Sequence, residues 1–298
     1  MVATAQGLVF LTVAMSPQEE HYASILIDSI RDFAGPYRNC EIYVAQSGRE
    51  RLPCEDLKAR GARIVTLEID DRVRGYPLAD KVYACAQLES MIGSGSQVLV
   101  WMNPECLVLR PPIELILRPS EAIAVRPVHI KNVGSPISEP ANDYWLAVFK
   151  ALGADPARAF TVESFVDRQK IRAYFNCGTM SIHPERELCQ AWKESFERLA
   201  LDKAFQQSLD KRHALFLHQV VFSAVLVARL QPSEIKMLPP DYGFPLHLHG
   251  ELPSERKSRS LNDLTTVIYE EYFQDPNWAD EIGIQEPLKS WLTSRLAR

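Results

Sequence analysis

No apolar run in the 298-residue sequence approaches the ~20 residues that a membrane-spanning helix needs, so no membrane span is expected. Nor is there an excess of positive charge. The 33 Lys and Arg face 38 Asp and Glu, a net charge of -5, which argues against a nucleic-acid partner. The six cysteines (Cys40, Cys54, Cys85, Cys106, Cys177, Cys189) show no close pairing, and several sit in apolar periodic segments. They read as reduced, buried thiols, not as a disulfide framework or a zinc site. Residues 7–14 are apolar, but no Lys or Arg precedes them, which fits a first strand better than a signal peptide. A cytoplasmic location is the resulting expectation. No Gly-rich phosphate loop, G-x-G-x-x-G or G-x-S-x-G elbow occurs, so ATPase, dinucleotide and serine-hydrolase readings lack support. Repeats and low-complexity tracts are absent as well.

What is present is ordinary globular composition, 46% hydrophobic and 24% charged, with strand and helix signals alternating through the first half. Strands are expected at 7–14, 41–45 and 63–67. Ser16-Pro17-Gln18-Glu19 offers a capping box with Pro at the first helical position. Tyr22, Leu26, Ile30 and Phe33 continue the helix until Gly35-Pro36 stops it. Residues 80–92 read as a second helix. This order implies an α/β fold with a mixed, mostly parallel central sheet flanked by helices. Farther on, strands are expected at 122–125, 173–182 and 235–238, and helices at 143–152, 162–169, from Pro184, and at 217–230. The chain is expected to divide into a domain over 1–253 and a helical extension over 254–298 packed on it.

The stretch QVLVWMNPECLVL, residues 97–109, is the most informative. Two apolar runs, 98–101 and 106–109, read as short buried strands around the insert Asn103-Pro104-Glu105. Two oxygen-bearing side chains two residues apart at a turn suit a hard cation or a sugar hydroxyl. The plainer alternative is a polar turn shaped by its proline. Asn176-Cys177-Gly178 lies inside an expected strand, where glycine marks close approach of a ligand or backbone, or a β-bulge.

Several stretches, in order, resemble retaining nucleotide-sugar glycosyltransferases of the GT-A fold, of the glycogenin and galactinol-synthase type. Residues 10–16 and Tyr22 resemble the family's nucleotide-binding start, and Lys81 in ADKVYACAQL the lysine that opens the helix before the Asp-x-Asp strand. VLVWMNPECLVLRPP resembles the Asp-x-Asp strand, turn and strand, with Asn-x-Glu in place of the two aspartates. YFNCGTMSI resembles the Phe-Asn-Ser-Gly strand, Leu217-His218-Gln219 falls at the Asp-Gln pair, and His247-Leu248-His249-Gly250 resembles the His-x-x-Gly motif. The similarity spans roughly residues 7–250.

The resemblance implies transfer of a hexose from a nucleoside diphosphate sugar, with UDP one candidate carrier, to an unidentified acceptor. Thr12, Ala14, Tyr22, Lys81, Asn103, Gly178 and Gly250 would contact the donor. Asn103, Glu105 and His247 would hold Mn²⁺ or Mg²⁺, with Asn103 offering a carbonyl oxygen. His249 rivals His247, since both would face one side of a strand. Lys81 would approach the phosphate or the base, or else is a surface lysine at a helix start. His218, Gln219 and Asn176 would face the sugar and acceptor, His218 either as a general base for the acceptor hydroxyl or as a plain helix-start histidine. Two departures from acidic residues leave a second reading open: a degenerate nucleotide-sugar-binding or interaction module on the same fold. A third reading is metal-free, with Lys81 and Arg72 or Arg74 stabilising the leaving diphosphate.

Overall fold

The central strands form where apolar runs are long enough to be buried on both faces. The computed structural model describes residues 7–93 and 97–296; residues 1–6, 297 and 298 of the two expected units lie outside these. In chain order the strands are β1 (Leu8–Ala14), β2 (Glu41–Ser47), β3 (Arg63–Leu67), β4 (Val98–Met102), β5 (Cys106–Val108), β6 (Ile123–Pro127), β7 (Thr161–Glu163), β8 (Lys170–Arg172), β9 (Phe175–Ile182), β10 (Ile235–Met237), β11 (Phe244–Pro245) and β12 (Thr266–Ile268). A seven-stranded sheet runs β10-β6-β9-β4-β1-β2-β3. Only β9 is antiparallel to its neighbours, β4 and β6; the other pairings are parallel. β1 and β4, at its centre, are buried along their whole length, as expected of parallel strands covered on both faces.

Helices α1 (Pro17–Phe33) and α2 (Glu55–Ala59) cover one face. Helices α3 (Ala79–Ile92), α4 (Asp143–Leu152), α5 (Leu188–Leu201), α6 (Lys203–Gln207) and α7 (Lys211–Arg229) cover the other. The α1 cap forms as the sequence predicts on one side, with Ser16 Oγ accepting from the Glu19 amide at 3.2 Å. The Glu19 carboxylate reaches one residue farther back, to the Met15 amide at 2.7 Å. Buried Glu89 on α3 accepts from the Cys189 and Gln190 amides at 2.9 and 2.8 Å, so one carboxylate satisfies the exposed donors at the start of α5.

Two expectations give way. Residues 162–169, expected as a helix, form part of a β-hairpin in which β7 pairs antiparallel with β8. The Ser164 hydroxyl accepts from the Gln169 amide at 2.8 Å and closes the turn, a local bond that competes with helix formation. Residues 254–298 are not only helical. β12 lies between β11 and β5 in a three-stranded sheet, parallel to the first and antiparallel to the second. That sheet and the helices α8 (Trp278–Glu281) and α9 (Leu288–Leu296) enclose a separate apolar cluster built around Leu107, Val267, Tyr269 and Leu292.

The segment that enters β11 is held by one buried cation. Arg126 Nη1 donates to the carbonyls of Pro240, at 3.2 Å, and Tyr242. Its guanidinium lies 4.0 Å from the Phe165 ring centroid, and burial lowers its pKa to about 9. Replacing Arg126 by methionine leaves both carbonyls without their donor. A loss of about 1–3 kcal/mol in urea unfolding is expected; an unchanged midpoint would show that this loop is held by other contacts.

Candidate functional site

Asn103-Pro104-Glu105-Cys106 is a β-turn with proline at its second position, closed by the Cys106 amide donating to the Asn103 carbonyl at 3.1 Å. The Asn103 amide donates to the Gly178 carbonyl at 2.8 Å, which fixes the turn against β9. Asn103 and Glu105 both open on a cavity of about 830 Å³, with Ser16, Gln18, Glu19 and Tyr22 from the start of α1, His247, and the acidic residues Glu270, Glu271, Asp275 and Glu281. Among the described residues, six carboxylates therefore line one wall system, and His247 is the one basic residue on it. Burial is the main cause raising the Glu105 carboxyl above its usual range, and the nearby Glu270 charge adds to it. Burial likewise raises Glu19.

Glu270 escaped the sequence reading. It follows β12 with φ +44°, a left-handed conformation that costs a non-glycine residue energy. The ladder between β5 and β12 brings it close, since the Tyr269 amide donates to the Glu105 carbonyl at 3.0 Å. No local signal marks such a residue, because only the fold joins the two strands.

His247 Nδ1 lies 3.3 Å from the Ile268 carbonyl, and its Nε2 lies 3.4 Å from Glu270 Oε1. With Nδ1 bonded to the Ile268 carbonyl, Nε2 and a carboxylate oxygen face each other, a pair of donors of the kind that a cation takes. The two histidines do not share a strand face, because residues 246–251 form a 3-10 helix. His249 is buried and its Nε2 meets the Ser258 carbonyl at 3.2 Å, away from the cavity.

Beyond the wall formed by Leu78, Asn103, His247 and Glu270 lies a second cavity of about 390 Å³. Lys81, His129, Asn132, Asn176, Gly178, His218 and Gln219 line it. α7 is pinned to β9 by Ser223, whose hydroxyl accepts from the Phe175 amide and donates to the Gln219 carbonyl, both at 2.9 Å. That joint sets His218 and Gln219 beside Asn176 and Gly178. Asn176 Oδ1 accepts from the Gly178 amide at 2.6 Å. A Cβ at Gly178 would come within 2.8 Å of Ile268 Cδ1 and 2.9 Å of Asn176 Oδ1, so a side chain there would displace both.

His218 Nδ1 meets the Leu215 carbonyl at 3.0 Å. Burial first, and the Lys81 charge second, push its pKa well below 6.5. A histidine held neutral this firmly is a weak general base; its free Nε2 is suited to accept a hydrogen bond from a hydroxyl. Asn103 also differs from expectation. Its carbonyl oxygen accepts from Trp101 Nε1 at 3.2 Å, so its NH₂ group is the freer end.

Some expected residues are placed elsewhere. Thr12 and Ala14 are buried in the sheet and line neither cavity, which β1 reaches only at Ser16 just beyond its end. The Thr12 hydroxyl is buried with no partner among the described residues. A Cβ on Gly250 would meet nothing, and the residue lines neither cavity. Arg72 and Arg74 bond to Asp70 and Asp71 and do not join Lys81.

The raised Glu105 carboxyl has a pH consequence. The fold favours its protonated form, so its stabilising contribution is complete below the ordinary value of 4.5 and is lost as pH rises through the higher folded value. Glu105→Gln should therefore melt above wild type at about pH 8 without divalent cations, with the gap closing by about pH 4. A gap constant across that range would show that Glu105 is not strained by burial.

Residues 10–230 match the family model described as the Rhodobacterales glycosyltransferase domain. No curated protein sequence matches the chain significantly. Among solved structures, an active-site mutant of LgtC superposes with a TM-score of 0.56 at 11% identity, covering 97% of this chain and 95% of that one. The galactosyltransferase LgtC in complex with donor and acceptor sugar analogues gives 0.52 at 12% identity, covering 95% and 100%. The glycosyltransferase GlyE of Streptococcus pneumoniae gives 0.51 at 9% identity, covering 98% of this chain and 60% of that one. At such identities the likeness speaks for the fold, which is GT-A with a mainly parallel central sheet between helices. The family match runs from β1 through α7, and the chain accordingly belongs to the Rhodobacterales glycosyltransferases.

Proposed function

We propose that the protein transfers a hexose from a nucleoside diphosphate sugar, with UDP the first carrier to test, to an acceptor hydroxyl. The observation that carries this reading is the pair of cavities of unlike charge joined at Asn103, His247 and Glu270. The nucleotide and diphosphate fit the larger cavity, beside the start of α1, and the sugar fits the smaller one among Asn176, Gly178, His218 and Gln219.

The larger cavity repels a diphosphate unless positive charge accompanies it. Glu105, Glu270 and His247 Nε2 are chemically suited to hold Mn²⁺ or Mg²⁺, since oxygen and imidazole nitrogen are the expected donors. Among the described residues no three His, Cys, Asp or Glu side chains already stand together as a finished metal site. When bound, the cation supplies charge stabilisation to the departing diphosphate. The protein's own residues do the remaining work. Asn176 and Gln219 hydrogen-bond sugar hydroxyls, and His218 Nε2 accepts from one. The close backbone at Gly178 seats the ring, and Lys81 contributes the one positive charge on the sugar side.

The test is release of nucleoside diphosphate from a panel of nucleotide sugars with Mn²⁺ present. Release from at least one donor is expected, accelerated by an acceptor. No release from any donor, by a folded protein, rejects catalysis at this site.

A further inference from the structure

Lys81 is 5% exposed, and among the described residues no carboxylate forms an ion pair with it; the Asp80 and Glu105 charges act on it only from farther away. Its Nζ lies 4.0 Å from the Cys177 thiol and 5.6 Å from the Trp101 ring centroid, and it lines the smaller cavity. A buried ammonium with no carboxylate in contact is costly, and a protein retains one where a ligand completes the pair. Its neighbours in that cavity, Asn176, His218 and Gln219, are polar and uncharged and offer no partner. The acids lie across the shared wall, and Lys81 does not line the larger cavity where they gather.

A hexose presents only hydroxyls and would leave this ammonium without a carboxylate in contact. From the unpaired lysine on the sugar side, and resting on the donor reading above, we propose that the transferred sugar carries its own carboxylate, a hexuronate, which pairs with Lys81. His218 Nε2 and the Asn176 amide then take the remaining hydroxyls. The other available anion, the diphosphate, belongs to the larger cavity, and the experiment separates the two.

Calorimetric titrations with Mn²⁺ present would compare UDP, UDP-glucose with UDP-glucuronate, UDP-galactose with UDP-galacturonate, and GDP-mannose with GDP-mannuronate. At least one hexuronate is expected to bind about 10- to 100-fold tighter than its matched hexose. In Lys81→Met that ratio should fall to about one while affinity for the nucleotide alone is kept. Equal or tighter binding of the neutral hexoses by the wild-type protein overturns the hexuronate and leaves the donor reading standing. A uniform weakening of nucleotide, hexose and hexuronate in Lys81→Met also overturns it, and assigns the lysine to the diphosphate. Binding of none of these ligands removes the donor reading together with this inference.

Discussion

Replacing Lys81 by methionine is expected to lower kcat/KM for the hexuronate donor by about 10- to 100-fold, the affinity that the lysine–carboxylate pair supplies. The melting temperature should stay level or rise. Methionine keeps the volume of the side chain and removes a buried charge that no protein carboxylate contacts directly. These opposite directions separate a site role from a packing role. A lysine that merely supported α3 against the Trp101 ring would lower stability and activity together when removed. Steady-state transfer rates and thermal unfolding on the same preparations decide the matter.

Glu105→Ala and His247→Ala should each weaken Mn²⁺ binding by about 10²-fold or more, because loss of an outer partner alone costs 10- to 100-fold. Glu270→Gln should weaken it too, since Glu270 faces His247 Nε2 and pushes up the Glu105 carboxyl. Free-ion titration by electron paramagnetic resonance reads the effect without any turnover. If Glu270→Gln leaves affinity unchanged, the His247–Glu270 contact is an ordinary ion pair. If all three variants bind Mn²⁺ normally, the acidic wall holds no catalytic cation.

The central sheet was legible because β1 and β4 are runs of apolar residues, and two-sided burial demands such runs. The turn at Asn103 was legible because proline after asparagine at the end of a strand favours the geometry observed. Residues 162–169 misled because their apolar spacing fits a helix as well as a hairpin, and the Ser164–Gln169 bond that decides between them is local and weakly signalled. β12 is three residues long and is stabilised by β5, far away in sequence, so its own pattern carries little information. His247 and His249 looked equivalent only under strand geometry; the 3-10 turn parts them. Glu270 had no signal at all, and it lies with His247 outside the residues matched to the family. The chemistry of the site therefore depends partly on a stretch where the family resemblance pointed to His247 and nothing pointed to Glu270.

The most direct measurement is a crystal soaked with UDP and Mn²⁺, with anomalous scattering used to locate the metal. The account predicts an Mn²⁺ peak among Glu105, His247 and Glu270, with the diphosphate beside Asn103 in the larger cavity. It is contradicted if the nucleotide instead lies at the ends of β2 and β3, in the cavity lined by Arg49, Arg74 and Tyr76, with no metal near Glu105.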